Sequence, residues 1–154
     1  LGWQRVWPAL IDVLHHDYGL LNVTFETNGS KSCDDNMIEY FNNEGKHVHV
    51  TWSTSPKLSI SAETREDTLI PECLLSMNKV NNSFLYNKFV VRDMIDLDEV
   101  DEYVDAYKKA GVELDSVFCM PEGATFEQQA LTEKDVAEAC MLTGYKFSPR
   151  LHIQ

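Results

Sequence analysis

The regular spacing of five short β-type runs is the feature that most limits the folds open to this chain. The runs begin near Leu21, His47, Phe84, Asp115 and Tyr145, at intervals of about 30 residues, which is the length of one strand–helix unit. Between the runs, apolar residues recur at every third or fourth position, as they do in amphipathic helices. Because strands that alternate with helices pair in parallel through right-handed crossovers, the spacing predicts an α/β fold with a mainly parallel sheet.

Alternating polar and apolar residues indicate that one face of this sheet is polar. The alternation runs through residues 21–26, 47–53 and 147–154. Strands covered on both faces would instead read as continuous apolar runs. An incomplete (β/α) barrel gathers such polar rows around one lumen, and we take it as the predicted architecture. An open sheet with one wet face, or an antiparallel edge strand, explains the same pattern and stays open as an alternative.

Cap residues mark the ends of the last two predicted helices. Asp96 precedes a periodic apolar stretch that ends at Gly111, and Thr132 and Gly144 bracket the next one. Asp and Thr side chains accept hydrogen bonds from the free N–H groups at a helix start, and Gly suits the left-handed residue that ends a helix. The sequence therefore predicts helices that begin after Asp96 and Thr132.

Length and charge narrow the class of protein. At 154 residues the chain has the size of one domain, so residues 1–154 are treated as a single unit. Thirteen Lys and Arg against 25 Asp and Glu give a net charge of -12, which argues against nucleic acid or an anionic membrane as a partner. No apolar run is long enough to span a bilayer and the first ten residues lack a secretion signal, which predicts a cytoplasmic protein.

Two groups of potential metal ligands are present. Cys33, Cys73, Cys119 and Cys140 form no CxxC pair, which favours reduced structural thiols over a zinc site. His47 and His49 are two residues apart, so on a strand they would share a face and offer two imidazoles to a metal ion. A metal-dependent hydrolase using this pair is one alternative function, although no third ligand is fixed by spacing. A noncatalytic domain that binds a nucleoside or a protein is another.

Polar residues collect where the predicted strands end. Three of these ends read ETNG (26–29), SPK (55–57) and CMPEG (119–123), and the last strand closes with an arginine and a histidine. Ligands of parallel α/β folds bind beyond the carboxyl ends of the strands, so these residues form the candidate site. Each segment taken alone also fits an ordinary turn. The candidate residues are Glu26, Asn28, Gly29, Ser55, Lys57, Pro121, Glu122, Arg150 and His152.

The order of these segments resembles a known family. The opening stretch that ends in ETNG is similar to the part of radical S-adenosylmethionine enzymes that follows their GGEP motif. The segments SPKLS, NKFVVRD, CMPEGAT and FSPRLHIQ then resemble, in order, those of 7-carboxy-7-deazaguanine synthases. The similarity extends over essentially all 154 residues.

The resemblance implies a lyase of deazapurine and queuosine biosynthesis. Such an enzyme converts 6-carboxy-5,6,7,8-tetrahydropterin into 7-carboxy-7-deazaguanine with loss of ammonia, using S-adenosylmethionine, a [4Fe-4S] cluster, magnesium and an external electron donor. It is commonly a homodimer. By the same resemblance, the adenosylmethionine site would contain Glu26, Asn28, Gly29, Ser55, Lys57, Pro121 and Glu122. Arg150 and His152 would lie near the carboxylate of the pterin substrate.

Two motifs of that family have no counterpart here. The family holds its cluster through a CxxxCxxC loop that precedes GGEP, and the sequence contains neither motif. The separations of the four cysteines do not suit a compact cluster-binding loop. The resemblance therefore implies the carboxyl-terminal portion of a radical S-adenosylmethionine barrel, without its amino-terminal strands and catalytically inert by itself.

Overall fold

A computed structural model describes residues 2–150 as a parallel sheet of five strands with helices between successive strands. The strands are β1 (Asn22–Thr27), β2 (His49–Thr54), β3 (Ser83–Val91), β4 (Ser116–Pro121) and β5 (Lys146–Phe147). The α-helices are α1 (Trp7–Tyr18), α2 (Asp35–Asn42), α3 (Arg65–Thr68), α4 (Pro71–Asn78), α5 (Met94–Ala110) and α6 (Phe126–Thr143). Two short 3-10 helices cover Gln4–Val6 and Ser59–Ser61.

The strand order is the same as the chain order, β1-β2-β3-β4-β5, and all four pairings are parallel. Right-handed crossovers in one direction place every connecting helix on the same face of the sheet. Contacts between aromatic rings of the strands and of the helices support this placement. Phe25 of β1 meets Phe41 of α2 with ring centroids 6.1 Å apart, and Phe89 of β3 meets Tyr103 of α5 at 5.9 Å. The prediction of an α/β fold with parallel strands is confirmed, and the sheet is consistent with an incomplete barrel.

The antiparallel alternative is wrong for this sheet, and residues 151–154 of the last predicted strand lie outside the described part of the chain. Within the described residues, β5 covers only Lys146–Phe147 and pairs in parallel with β4. Ser148 adds one backbone hydrogen bond to Cys119, with 3.0 Å between N and O.

The starts of the last two predicted helices were misplaced. Helix α5 begins at Met94, because the carboxylate of Asp93 accepts hydrogen bonds from the N–H groups of Ile95 and Asp96 at 3.0 and 3.1 Å. The carboxylate of Asp96 is buried and binds Arg92 instead of capping the helix. Helix α6 is capped by Thr125, seven residues earlier than predicted. The predicted ends are confirmed, since Gly111 and Gly144 follow the two helices with φ of 89° and 79°.

The hydrophobic core lies between the sheet and its helices. Its largest fully buried side chains include Trp52, Tyr103, Tyr107, Phe41 and Phe89. Burial of one such side chain is worth roughly 1.5–3 kcal/mol, so this helix-covered side dominates the stability of the fold. None of the helices in residues 2–150 has the length and apolar character that crossing a bilayer requires.

The opposite face of the sheet, which we call the open face, has no helix over it in the described chain. The strand register places Glu26, Ser53, Tyr86 and Ser116 in one row across it. Their neighbours in sequence point to the helices, as Phe25 and Trp52 do when they stack at 5.0 Å. The open face is therefore polar along β1 and β2, whereas Phe84, Tyr86 and Phe118 form an aromatic cluster on it along β3 and β4. The carboxyl ends of the strands reach its rim.

Candidate functional site

A cleft of about 240 Å³ lies at the carboxyl ends of β2, β3 and β4, on the open face. Its polar lining consists of Ser55, Lys57, Ser61, Lys88, Glu122 and Arg150, and its apolar lining of Pro56, Leu58, Ile60 and Val90. The structure thus brings together the SPK segment, the glutamate of CMPEG and the arginine near the end of the chain. The predicted candidates Ser55, Lys57, Glu122 and Arg150 share one site although up to 95 residues separate them.

Glu26 reaches this cleft through Lys88. The two side chains form an ion pair across β2, with 3.0 Å between Lys88 Nζ and Glu26 Oε1. The Lys88 side chain is 21% exposed and that of Glu26 is 73% exposed. An ion pair with one partner this exposed is worth at most about 1 kcal/mol, so its main effect is to orient the two side chains. Sequence reasoning missed Lys88, and the signal for it was a lysine at an open-face position within the apolar run of β3.

The ETNG turn is arranged by its own hydrogen bonds. Asn28 Oδ1 accepts from the N–H of Ser30 at 3.2 Å and from its hydroxyl at 2.7 Å. Gly29 has φ of 78°, and a side chain there would approach the Cδ1 atom of Leu74 to 3.2 Å. Neither Asn28 nor Gly29 lines the cleft. Their placement at a cofactor stays a prediction.

The CMPEG segment contributes one residue to the core and another to the lining of the cleft. Pro121 ends β4 as a buried residue and does not line the cleft, whereas Glu122 does. The N–H of Glu122 donates to the carbonyl of Val91 at 2.9 Å, which fixes the turn to β3. The carbonyl of Gly123 accepts from Arg150 Nη1 at 2.9 Å, so this turn also holds the arginine. His152, the other predicted substrate-binding residue, lies outside the described residues 2–150.

Helix α5 fixes the wall of the cleft formed by residues 57–61. The hydroxyl of Tyr103 donates to the carbonyl of Lys57 at 3.1 Å and contacts the hydroxyl of Thr68 at 2.6 Å. One turn earlier, Glu99 accepts hydrogen bonds from the N–H and the hydroxyl of Ser59 at 3.0 and 2.8 Å. Burial raises the pKa of Tyr103, so its hydroxyl stays protonated as a donor. The wall is therefore positioned by a rigid helix.

The cleft is positively charged although the chain is acidic. Lys57, Lys88 and Arg150 face Glu122 across it, and Lys88 is also paired with Glu26. Ammonium and guanidinium groups bind carboxylates and phosphates, while a glutamate accepts hydrogen bonds from an ammonium or a hydroxyl. This set suits a small anionic or zwitterionic ligand.

His47 and His49 do not lie on the same strand, contrary to the prediction. His47 lies in the turn before β2, and its ring centroid is 3.8 Å from that of His15 in α1. His49 begins β2 and contacts Asn82, with 3.1 Å between Nδ1 and Oδ1. No group of three or more His, Cys, Asp or Glu side chains in residues 2–150 is arranged to hold a metal ion.

The cysteines do not fit an iron–sulfur cluster. All four lie in the described part of the chain, and each is buried and outside any disulfide. Burial, with smaller contributions from Asp34 and Asp35, raises the pKa of Cys33 to about 12. Burial also raises the pKa of Cys119 and Cys140. Cluster ligands are thiolates, and burial keeps the thiols of Cys33, Cys119 and Cys140 protonated.

The strands of this parallel sheet follow one another in one direction, and the cleft lies at their carboxyl ends. Barrel-type α/β proteins bind their ligands at this place. No family model matches the chain. Over 69 residues the chain is 33% identical to a 7-carboxy-7-deazaguanine synthase of Halobacterium salinarum. That region is 43% of this chain and 27% of the relative, so the chain matches about a quarter of that protein's length.

Proposed function

We propose that this chain forms part of a radical S-adenosylmethionine enzyme of the 7-carboxy-7-deazaguanine synthase type. The observation that carries the proposal is the meeting of SPK, CMPEG and Arg150 in one cleft, since these segments resemble that family in sequence and are far apart in the chain. The partial similarity to a relative of that name supports it. The proposed reaction of the whole protein is ring contraction of a carboxylated tetrahydropterin with loss of ammonia.

The residues of the cleft fit an adenosylmethionine molecule. Its amino-acid end carries an ammonium and a carboxylate, for which Glu26, held beside the cleft by Lys88, and Lys57 are suitable partners, and Ser55 suits a ribose hydroxyl. Arg150 is left for the carboxylate of the pterin. A cleft of about 240 Å³ is below the roughly 300–1,000 Å³ of most ligand pockets, so it holds one end of such a ligand. When bound beside a reduced cluster, adenosylmethionine supplies the hydrogen-abstracting chemistry.

The cysteines of the described chain do not fit an iron–sulfur cluster. All four thiols are buried in the core on the helix-covered side. The proposed function therefore requires cluster ligands, and a magnesium site, from residues other than 2–150. Cluster reconstitution with iron and sulfide is expected to yield no stoichiometric cluster on this chain, and one cluster per chain would contradict this part of the proposal.

Calorimetric titration with S-adenosylmethionine tests the cleft. We expect weak binding that is lost in Lys57→Ala and in Glu26→Ala, because each removes one charge that the ligand needs. Lys134→Ala and Glu133→Ala are the matched controls, since both positions lie on α6 and do not line the cleft. Equal binding by all four variants would refute the assignment and favour a noncatalytic domain.

For this chain by itself, the proposed assembly is a homodimer formed across the open edge of β1. This strand has β2 on one side and no described strand on the other. Next to it, α1 and the residues before it expose apolar side chains, with Val6, Leu10 and Val13 at 51%, 43% and 52%. An unpaired strand edge beside an apolar helix stripe favours pairing with a second copy.

Val13→Glu is expected to abolish this self-association, because the charge would have to be buried against the partner. Sedimentation equilibrium at moderate salt measures it. Leu131→Glu, at an 80% exposed position on α6, is the control. A monomeric parent chain, or a dimer retained in Val13→Glu, would exclude this edge as the interface.

A further inference from the structure

A second concave surface, on the helix-covered side of the molecule, takes no part in the proposed function. It is a groove of about 300 Å³ between the start of α5 and the second half of α6. Its floor is buried and apolar, formed by Leu97, Val136 and Ala139 at 2%, 1% and 3% exposure. Met94 and Leu142 form its walls and are 55% and 85% exposed. Apolar side chains at this exposure, beside a concave apolar floor, favour contact with another apolar group.

The rim of this groove is acidic. Asp93, Asp135 and Glu138 line it together with the apolar residues. Helix α6 carries the acids Glu127, Glu133, Asp135 and Glu138 against the single base Lys134. Lys134 lies 3.7 Å from Glu138, with both side chains mostly exposed, so it screens one rim carboxylate. Arg92, which precedes the groove, is bound to the buried Asp96. The rim therefore keeps a negative potential.

The negative charge of the rim decides which kind of molecule can bind in the groove. A second copy related by a two-fold axis at this groove would place the same acidic rim against itself. Anionic lipid and nucleic acid are repelled for the same reason. A basic peptide segment meets the rim with opposite charge, and its apolar side chains enter the groove. Methionine at the wall adapts to side chains of different shape.

We infer that the groove between α5 and α6 is a docking site for a basic amphipathic helix of a partner protein. Such a helix places apolar anchors at positions i, i+3 or i+4, and i+7 into an apolar groove. Its Lys and Arg side chains pair with Asp93, Asp135 and Glu138 at the rim. This site is independent of the cleft on the open face, so either can exist without the other.

Fluorescence anisotropy with two labelled peptides tests the inference. The probe is a peptide of about 18 residues with leucine on one helical face and lysine elsewhere, and its scrambled isomer has the same charge without an apolar face. We expect the amphipathic peptide to bind at least about tenfold more tightly than the scrambled one, since only it can fill the groove. Equal affinities would show a nonspecific charge effect and overturn the inference.

Variants locate the binding on the surface. Leu142→Ser is expected to weaken binding about tenfold, whereas Leu131→Ser, which is 80% exposed on the same helix but outside the groove, changes it less than about twofold. Asp135→Asn combined with Glu138→Gln is expected to reduce the dependence of affinity on salt more than Glu127→Gln combined with Glu133→Gln. Equal effects of Leu142→Ser and Leu131→Ser, or self-association abolished by Leu142→Ser alone, would contradict docking of a basic helix here.

Discussion

Gly123 shows how one residue links the backbone of the CMPEG turn to the candidate site. Its φ is 147°, and an added Cβ would come within 2.7 Å of the backbone N of Gln129. Its carbonyl also holds Arg150. Moving the start of α6 away from this contact would cost free energy, because the hydroxyl oxygen of Thr125 accepts a hydrogen bond from the N–H of Gln128 and so caps the helix. The turn thus accepts only glycine, and the position of the arginine depends on it.

Gly123→Ala is expected to lower the free energy of unfolding by about 2–4 kcal/mol, from strain at φ above zero and from the backbone contact. Urea unfolding followed by circular dichroism measures the loss. Gly111→Ala is the control, because its φ is 89° but an added Cβ meets nothing within 4 Å, so it should cost only about 1 kcal/mol. Equal losses in the two variants would show that the contact with Gln129 is unimportant.

Helix α5 packs in the hydrophobic core and also supports one wall of the cleft. Two of its tyrosines show how these two roles differ. Tyr103 and Tyr107 are both fully buried and one turn apart. The hydroxyl of Tyr103 bonds Thr68 and the carbonyl of Lys57, while that of Tyr107 has no hydrogen-bond partner among the described residues. The hydroxyl of Tyr103 anchors the wall of the cleft. The hydroxyl of Tyr107 is removed from water on folding, and no hydrogen bond within the described residues offsets that cost.

Tyr103→Phe is therefore expected to cost about 1–2 kcal/mol of stability and to weaken any ligand that contacts Lys57, because the 57–61 wall loses its anchor. Tyr107→Phe is expected to be neutral or slightly stabilising, since the lost hydroxyl makes no bond. Thermal unfolding of the two variants, together with the adenosylmethionine titration, measures both effects. Destabilisation by Tyr107→Phe of the same size as by Tyr103→Phe would contradict this division.

At the level of elements, the sequence predicted the strands better than the helix starts. The strand starts agree with the prediction within two residues, because the apolar period of two and the βα spacing are both local signals. The cap of α5 was misassigned because Asp93 and Asp96 both suit a helix start, and the choice depends on the ion pair of Asp96 with Arg92. The start of α6 was missed because its first turn contains polar residues, which hide the apolar period.

The sequence predicted which strand ends form the candidate site, but it did not predict every residue in that site. Residues at the strand ends converge because parallel strands share one carboxyl edge, which the βα pattern already implied. The lysine at position 88 is visible in the sequence, but its pairing with Glu26 depends on the register of β3 against β2 and β1, which no local pattern contains. The groove between α5 and α6 depends on how two helices pack, and it was also outside the reach of sequence patterns.

The whole molecule carries a charge of -12, concentrated on helices such as α5, whose acidic residues are Asp96, Asp98, Glu99, Asp101, Glu102 and Asp105. Exposed carboxylates at this density repel one another in the folded state more than in the expanded unfolded chain. The repulsion is long-ranged at low salt, where the Debye length is about 30 Å at 0.01 M, and short-ranged at 0.15 M, where it is about 8 Å. Folding stability should therefore increase with ionic strength.

Raising NaCl from about 0.01 to 0.15 M is expected to raise the unfolding temperature by a few degrees, which corresponds to about 1 kcal/mol for a domain of this size. Scanning calorimetry measures the shift. A variant with Asp98→Lys and Asp105→Lys, both exposed on α5, replaces a negative by a positive charge at each position and should give a clearly smaller shift. A variant with Asp98→Asn and Asp105→Asn should fall between it and the parent. An unfolding temperature that is independent of salt in all three proteins would show that repulsion among the surface carboxylates does not limit the stability of this fold.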